Sequence, residues 1–500
     1  MQPRVRRVLD LTIPSAREEA GRHEYDGVVQ DLSPDSVRAG LAALGGEPCD
    51  DPHDDAHLAA HEEALRVSLG ELQMHRRNPL LHLSNLELAC YDRAYAPGPE
   101  RSAARRQHLT QWPDAIDAAV KALDLVPAPI AVALDGPVRG LAAGLGDPTD
   151  PVVERALRAH QRLVEHVRAL SVDGDPDVAI GASGLARLMS SAESLPFDVE
   201  QWSRHAERER ERLWDLLVEG AARIDPTSDV RDVVARLMAD QPRPDEVVEQ
   251  ARVVSAEVLA FTREHRLAPT DGELLVDIAP ESRRWAVAMM TWAAPGEQEG
   301  PSTYAITPPD VSWPRDEQEQ WMAMFNRSSL PAITAHEVAP GHYSHGRALR
   351  AVRGDVRRTL IGAAFAEGWA HYVEEALIDE GFRDHDPAYA VGVALEALCR
   401  VVRLSCAIGL HTATMDVAEA TRRFERDALL GHSAARSEAQ RGTFDPGYGM
   451  YTWGKLEILR QREGARAAWG SQFSLPRFHE ALLDLGSPPL GLLGTATDRG

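Results

Sequence analysis

Cysteine is scarce in this 500-residue chain, and long apolar runs are missing. The four cysteines, at positions 49, 90, 399 and 406, include no C-x-x-C pair. Cys399 and Cys406, on one helix, would lie ~10 Å apart, too far to form a disulfide. Reduced, partly buried thiols of a cytoplasmic protein are therefore expected. No stretch approaches the ~20 apolar residues of a membrane-spanning helix, and the basic first residues lead into no hydrophobic run of the secretory type.

Positive charge is also in deficit. The chain has 77 acidic and 54 basic residues, a formal net charge of −23. This imbalance favours solubility and argues against nucleic acid or an anionic membrane as a partner. The length predicts one large two-lobed domain or two to three domains. A change in the sequence pattern near residue 270 places the division between a helical N-terminal lobe, residues 1–270, and a second lobe, residues 271–500, packed as one compact unit. The pattern does not indicate an oligomeric state.

Most of the chain has helical periodicity. Amphipathic helices are predicted at about 114–124, 150–170, 199–223, 228–240 and 244–266. The pattern changes near residue 270, where short strands are predicted at 274–278, 286–292 and 302–307, the last two forming a hairpin. The predicted fold is mainly α, with a small β-sheet.

The segment 336–342 is the richest in chemistry and reads HEVAPGH. It supplies two imidazoles and a carboxylate, and Glu367 follows in a second apolar helical pattern. Two histidines with one remote glutamate are suited to hold a catalytic zinc ion, while Glu337 would be the carboxylate that handles the proton. The predicted metal ligands are therefore His336, His342 and Glu367.

The spacing of the two histidines requires a break in the backbone. Six residues of ideal helix would turn their side chains ~120° apart, so a straight helix could not direct both at one ion. Pro340 lacks an N–H and Gly341 allows almost any backbone angle, so the pair predicts a kink or tight turn that brings His342 back. The alternative is a helix that simply ends at Ala339, with His342 in a loop.

The helices around this segment can also be predicted. Ser328 or Ser329 would cap the first helix. A second helix is expected from about Asp355 to Glu380, ended by Gly381, and a third spans roughly 387–416. On the second helix Glu367, His371 and Glu374 share one face. His371 and Glu374 would then orient a metal ligand, or be a buried structural imidazole and an ion-pair residue.

Four segments carry a resemblance to a known family. They read HEVAPGH at 336–342, AEGWA at 366–370, RLSCAIGLH at 403–411 and DPGYGMYTWGKLEILR at 445–460. This set resembles the bacterial family called domain of unknown function 885, whose members carry HE-x-x-PGH followed by EGWA. The resemblance implies a zinc-metallopeptidase-like protein with a two-helix zinc site similar to the thermolysin type, in which a glutamate on a following helix is the third ligand.

Further roles are assigned by position in the family-like segments. Tyr451 and His411 are candidate donors to an oxyanion, with Tyr448 in reserve. Arg403 would hold a substrate carboxylate or pair with an acidic residue. Because metallopeptidase sites usually have an edge strand beside the zinc helix, that role is assigned to residues 302–307, although a purely structural sheet is an alternative.

The chain departs from the family pattern at three places. Ala407 stands where the family usually has aspartate, the loop Pro446–Gly449 is altered and one residue shorter, and His371 replaces an apolar residue. All three lie outside the predicted ligand set. They bear on substrate preference and on the groups around the ligands.

The function expected from the sequence is zinc-dependent hydrolysis of peptide or related small amide substrates, with Zn²⁺ as cofactor. Glu337 would take a proton from the attacking water. Hydrolysis of an ester or a non-peptide amide is possible with the same chemistry. The alternative from another class is a non-catalytic metal- or ligand-binding helical protein. A ligand set of His342, His345 and Glu367 is also possible, but it would leave Glu337 without a role.

Overall fold

The computed structural model describes residues 1–280, 283–284 and 286–499. It is mainly helical with one three-stranded sheet, as the sequence predicts. Within the described residues, no helix is both long enough and apolar enough to span a bilayer.

Helices of the first half carry most of the Ala-, Leu- and Arg-rich amphipathic segments. In chain order they are α1 (Pro3–Leu9), α2 (Ile13–Glu18), α3 (Pro34–Ala43), α4 (Pro52–Leu65), α5 (Met74–Arg77), α6 (Pro79–Leu86), α7 (Gly98–Ala122), α8 (Ala128–Gly140), α9 (Pro151–Asp173), α10 (Gly181–Glu193), α11 (Val199–Ile224), α12 (Val230–Ala239) and α13 (Val247–Glu264). The predicted helices agree with α9, α11, α12 and α13 to within a few residues, whereas the one predicted at 114–124 is only the end of α7.

The second half begins with the sheet and continues with the helices that carry the family-like motifs. Its elements are β1 (Leu274–Ile278), β2 (Ala288–Thr291), β3 (Ser302–Ile306), α14 (Arg315–Met322), α15 (Ser329–Glu337), α16 (His342–Ala351), α17 (Asp355–Thr359), α18 (Ala363–Asp379), α19 (Pro387–His411), α20 (Val417–Asp427), α21 (His432–Phe444), α22 (Met450–Trp469), α23 (Leu475–Leu483) and α24 (Thr495–Arg499).

Two predicted helix boundaries are wrong. The helix predicted from Asp355 to Glu380 is divided into α17 and α18, because the Gly362 N–H donates to the Ser487 carbonyl at 2.8 Å instead of continuing the helix. The helix predicted to reach residue 416 ends at His411, because the chain turns back there and the Met415 N–H donates to the Gly409 carbonyl at 3.0 Å. The predicted stop at Gly381 is confirmed, with φ of 89°.

The strand order of the sheet is β1-β3-β2. β3 is parallel to β1 and antiparallel to β2, so the predicted hairpin is confirmed. The prediction that residues 302–307 form an edge strand is wrong, because β3 has a partner on both sides and its backbone groups are already paired. β2 packs near α15 and α16, and one of its edges is not paired with any described strand.

The main hydrophobic core crosses the predicted lobe boundary. It includes Trp112 and Leu213 from the first half and Trp369, Leu398 and Trp453 from the second, all almost fully buried. A second cluster joins the sheet to α13 and α15, and a third holds the N-terminal helices against α17. The two predicted lobes therefore share apolar packing, while the division at residue 270 stays a prediction.

Candidate metal centre

The predicted break after the first histidine is present. α15 ends at Glu337 and α16 begins at His342, so each histidine has its own helix. The Gly341 N–H donates to the Ala335 carbonyl at 3.2 Å, which folds the chain back over the end of α15. A Cβ on Gly341 would lie 1.8 Å from the His336 carbonyl oxygen, so this turn accepts only glycine.

The start of α15 is capped by a residue that the sequence analysis missed. Neither Ser328 nor Ser329 makes a side-chain cap. Instead the Asn326 side-chain oxygen accepts from the Ser328 N–H at 2.8 Å and the Ser329 N–H at 3.1 Å. The predicted serine cap is therefore wrong, because an amide oxygen two residues earlier takes both orphan donors.

His336, His342 and Glu367 converge, and we call them the His–Glu cluster. Among the described residues they form the group whose potential ligand atoms all lie within 4.8 Å of one another. Oε2 of Glu367 is 3.4 Å from Nε2 of His336 and 3.4 Å from Nε2 of His342. This oxygen is buried and accepts no hydrogen bond from a described residue.

Each residue of the Glu-Gly-Trp motif has a distinct contact. Glu367 contributes its carboxylate to the His–Glu cluster. A Cβ on Gly368 would lie 2.5 Å from the backbone of Gly454, so two glycines allow α18 and α22 to cross closely. The Trp369 indole N–H donates to the Pro340 carbonyl at 2.8 Å and so ties the turn between the histidines to α18.

Glu374 contacts the His336 ring at Nδ1, the nitrogen that does not face Glu367. Its Oε1 lies 2.7 Å from Nδ1 of His336, and its Oε2 accepts from Arg400 Nη1 at 3.0 Å. The Tyr389 hydroxyl donates to the Glu374 carbonyl at 3.0 Å. Burial alone would raise the pKa of Glu374, but Arg400 and His336 hold it well below its ordinary value. An ionised Glu374 accepts a hydrogen bond from Nδ1–H of His336. The other ring nitrogen, Nε2, then carries no proton and is free to bind a cation.

The charges of the His–Glu cluster itself are interdependent. Burial and Arg400 lower the pKa of His336, but the neighbouring carboxylates of Glu367 and Glu374 outweigh them and raise it to about 9. Burial would likewise raise the pKa of Glu367, yet His342 and His336 keep it well below its ordinary value. A positive charge between the two rings therefore stabilises the ionised carboxylate of Glu367. Either a proton or a metal ion can supply this charge.

His371 lies next to this arrangement. Its Nδ1 is 3.7 Å from Oε2 of Glu374, and neither ring nitrogen has a hydrogen-bond partner among the described residues. Burial and the charge of Lys455 lower the pKa of His371 to about 4. It is therefore a neutral imidazole that packs against Glu374.

Glu337 and Tyr451 border the cluster. The Glu337 carboxylate is 8% exposed, and burial raises its pKa, opposed by His342 and His336. The ring of Tyr451 stacks with that of His336 at a centroid distance of 6.4 Å, and its hydroxyl lies 3.5 Å from Nη2 of Arg441. The Tyr451 ring therefore packs against the ring of a predicted ligand, and Glu337 follows that ligand directly at the end of α15.

Two other residues predicted to act on the substrate, His411 and Arg403, make their contacts outside the His–Glu cluster. Nε2 of His411 lies 2.8 Å from the Gly442 carbonyl oxygen, ~16 Å along α19 from Arg400, so this histidine is away from the cluster. Arg403 gives both arms of its guanidinium to Glu438, at 2.7 Å each, which matches the ion-pair alternative.

Two reserve residues are likewise separated from the cluster. A Cβ on Gly442 would lie 2.4 Å from the Tyr448 hydroxyl oxygen, so this hydroxyl is directed into the packing between α21 and α22. His345 is enclosed by rings, with centroids 5.8 Å from Trp292 and 5.4 Å from Phe365, and lies outside the His–Glu cluster.

Sequence reasoning missed several groups near the cluster. Arg400 falls within a predicted helix, but no sequence pattern gives it a role. Glu396, one turn earlier, is one quarter exposed and lies 3.9 Å from Nη2 of Arg400. Trp292, whose ring centroid lies 6.4 Å from that of His342, donates its indole N–H to the Glu19 carbonyl at 3.0 Å. No sequence signal connects Glu19 with residues more than 300 positions away.

The fold and cluster describe a mainly helical protein with two histidines and a glutamate on three helices, α15, α16 and α18. The family model described as "Bacterial protein of unknown function (DUF885)" matches residues 14–496, and the chain belongs to this family. No curated protein matches it.

Two solved structures have a similar fold. One is described as a putative lipoprotein of unknown function from Shewanella oneidensis; it has 18% identity, a TM-score of 0.77, and coverage of 98% of this chain and 97% of its own. The other is described as the putative lipoprotein from Colwellia psychrerythraea; it has 17% identity, a TM-score of 0.78, and coverage of 99% and 96%. At these identities the likeness concerns the fold alone.

Proposed function

We propose that this protein is a zinc-dependent hydrolase of peptides or related amides, with a metal site of the thermolysin type in which the helix that carries the two histidines is broken between them. The observation that carries the proposal is the convergence of His336, His342 and Glu367, with Glu337 beside them.

The donor set fits zinc in chemistry and in size. Two imidazole nitrogens and one carboxylate oxygen are ordinary zinc ligands, with bonds of ~2.0–2.2 Å. In a tetrahedron with such bonds the ligand atoms lie about 3.3 Å apart. The two nitrogen–oxygen separations of 3.4 Å agree with that spacing. Three protein ligands leave a coordination position for water or substrate, which is typical of catalytic rather than structural sites.

Zinc bound there supplies Lewis acidity, which polarises a carbonyl group and makes water a stronger acid. Glu337 accepts the proton of the attacking water and passes it to the leaving amine. Burial suits it to this task, because the same desolvation that raises its pKa makes it a better base. The Tyr451 hydroxyl donates to the developing oxyanion.

The sheet offers a surface for an extended substrate. Because the Thr307 N–H donates to the Val287 carbonyl at 2.9 Å, alternate residues of β2 pair with β3 and the others face away. Ala288 and Met290 therefore direct their backbone groups toward the free edge. An extended peptide can pair with such an edge through main-chain hydrogen bonds, which favours a peptide over a compact ester.

The test is metal content together with turnover. The zinc-loaded protein is expected to contain about one zinc per chain and to cleave members of a peptide library read by mass spectrometry. Glu337→Gln is expected to keep the metal and lose turnover by ~10²–10⁴-fold, because the side chain keeps its shape but not its basicity. A protein that takes up no zinc, or a variant that retains full turnover, would contradict the proposal.

The cellular location stays a prediction. The sequence favours the cytoplasm, whereas both similar structures are described as lipoproteins. Fractionation of cells that produce the full-length protein, followed by detergent phase partitioning, decides between a cytoplasmic and a lipid-anchored form.

A further inference from the structure

One carboxylate near the His–Glu cluster has no cationic partner. Glu19 is half-buried, and no Lys, Arg or His of the described residues lies within ion-pair distance of it. Burial first, then the negative charges of Glu18 and Glu367, raise the pKa of Glu19 to about 7. Its backbone carbonyl bonds the indole of Trp292, whose ring lies 6.4 Å from that of His342, so Glu19 lies on the Trp292 side of the proposed metal site although it comes from the start of the chain.

The position of Glu19 is fixed by Trp292. The Glu19 carbonyl accepts the indole N–H at 3.0 Å, and the indole lies against Gly346, whose added Cβ would meet Trp292 Cβ at 2.7 Å. The same ring has its centroid 6.4 Å from that of His342. Glu19, through its backbone, and the indole of Trp292 therefore lie together on the His342 side of the cluster.

The arginines around the site are already committed. Arg400 pairs with Glu374, Arg403 with Glu438 and Arg441 with Asp445. On the N-terminal side, Arg283 pairs with Glu18, Arg93 with Glu297 and Arg22 with Glu24. These six arginines already have carboxylate partners, whereas Glu19 lacks the cation that would neutralise it.

We propose that Glu19 and Trp292 form a subsite for a primary ammonium group of the substrate. A carboxylate provides a charge-assisted hydrogen bond, and the indole face attracts a cation. The group is either the free amino terminus of a short peptide or a lysine side chain. This inference rests on the proposed hydrolase function, and Glu19 acts in it as a specificity-determining residue.

The test uses peptides that differ by one ammonium group. Zinc-loaded wild-type protein is given a peptide and its N-acetylated form, and a second pair in which lysine is replaced by norleucine. For one pair, kcat/KM is expected to be about 10- to 100-fold higher for the cationic member, the range expected from a hydrogen bond to a charged group. The pair that shows the difference identifies which ammonium group is bound.

Variants assign the preference to Glu19. Glu19→Gln is expected to remove it by lowering kcat/KM much more for the cationic peptide than for the neutral one. Glu24→Gln makes the same charge change in an exposed residue nearby and should leave the preference intact. Any of three results would overturn the inference. The wild-type protein could show no preference for the cationic peptide, Glu19→Gln could retain that preference, or the preference could be lost only in Glu396→Gln.

Binding separates this inference from the proposed function. Zinc-loaded Glu337→Gln protein, with and without Glu19→Gln, is titrated with the same intact peptides by calorimetry. Weaker binding of only the cationic peptide to the double variant supports the subsite even if wild-type protein cleaves nothing, which would refute hydrolysis alone. Cleavage without any cationic preference would refute the subsite alone.

Discussion

Nδ1 of His336 lies 2.7 Å from Oε1 of Glu374, and this contact fixes which nitrogen of the ring faces Glu367. Glu374 is itself held by Arg400 through its other oxygen. The imidazole can thus keep its orientation without a substrate present. Carboxylate–histidine pairs of this kind orient metal ligands and raise their basicity.

Replacement of Glu374 should therefore weaken metal binding. For Glu374→Gln we expect zinc affinity to fall about 10- to 100-fold, because the amide no longer fixes the tautomer of His336 and no longer carries the negative charge that pairs with Arg400. Competition with a chromogenic chelator measures the change. Asp379→Asn, at the exposed end of the same helix, is the control and should bind zinc like the wild type; equal affinities in both variants would contradict the role of Glu374.

The two possible ligand sets differ in whether His336 or His345 binds the metal. Glu367→Ala and His336→Ala should each lose most of the zinc on dialysis, since two remaining ligands rarely retain it. His345→Leu should keep about one zinc per chain, because this ring is enclosed by Trp292 and Phe365. Zinc retained in His336→Ala and lost in His345→Leu would establish the alternative set.

The histidine-containing turn could be predicted because its causes are local. Pro340 and Gly341 determine backbone angles within a few residues, and the face shared by Glu367 and Glu374 follows from helical geometry. The strand order could not be predicted in this way. Local periodicity indicates that β3 is a strand, but its central position depends on which distant strand pairs with each edge.

Side-chain partners from distant segments were also beyond reach. The sequence makes Arg403 a candidate for substrate binding, but in the structure its guanidinium pairs with Glu438 on another helix. His411 lies in a motif-like segment, yet the carbonyl of Gly442 satisfies it. Glu19 has no motif at all. Its position on the Trp292 side of the site arises only from long-range packing, for which a single sequence carries no signal.

Gly341 should tolerate no side chain. For Gly341→Ala we expect loss of zinc and a free energy of unfolding lower by about 3 kcal/mol, because its Cβ would lie 1.8 Å from a carbonyl oxygen. The control is Gly464→Ala, whose Cβ meets no atom within 4 Å in the exposed part of α22. That variant should be more stable by up to about 1 kcal/mol. Denaturant unfolding and zinc content measure both; a Gly341→Ala protein with wild-type values would disprove the constraint.

Tyr451 and Tyr448 provide the sharpest comparison of two similar residues. The Tyr451 ring stacks over His336, whereas the Tyr448 hydroxyl is buried without a hydrogen-bond partner among the described residues. Tyr451→Phe should lower kcat about 10²-fold with little change in KM, since it removes a donor used in the transition state. Tyr448→Phe should leave kcat unchanged and cost no stability, because no bond is lost.

Steady-state kinetics on a cleaved peptide measure both variants. If Tyr448→Phe reduced kcat and Tyr451→Phe did not, the oxyanion donor would belong to the other tyrosine, and the closeness of Tyr451 to His336 would be a matter of packing alone.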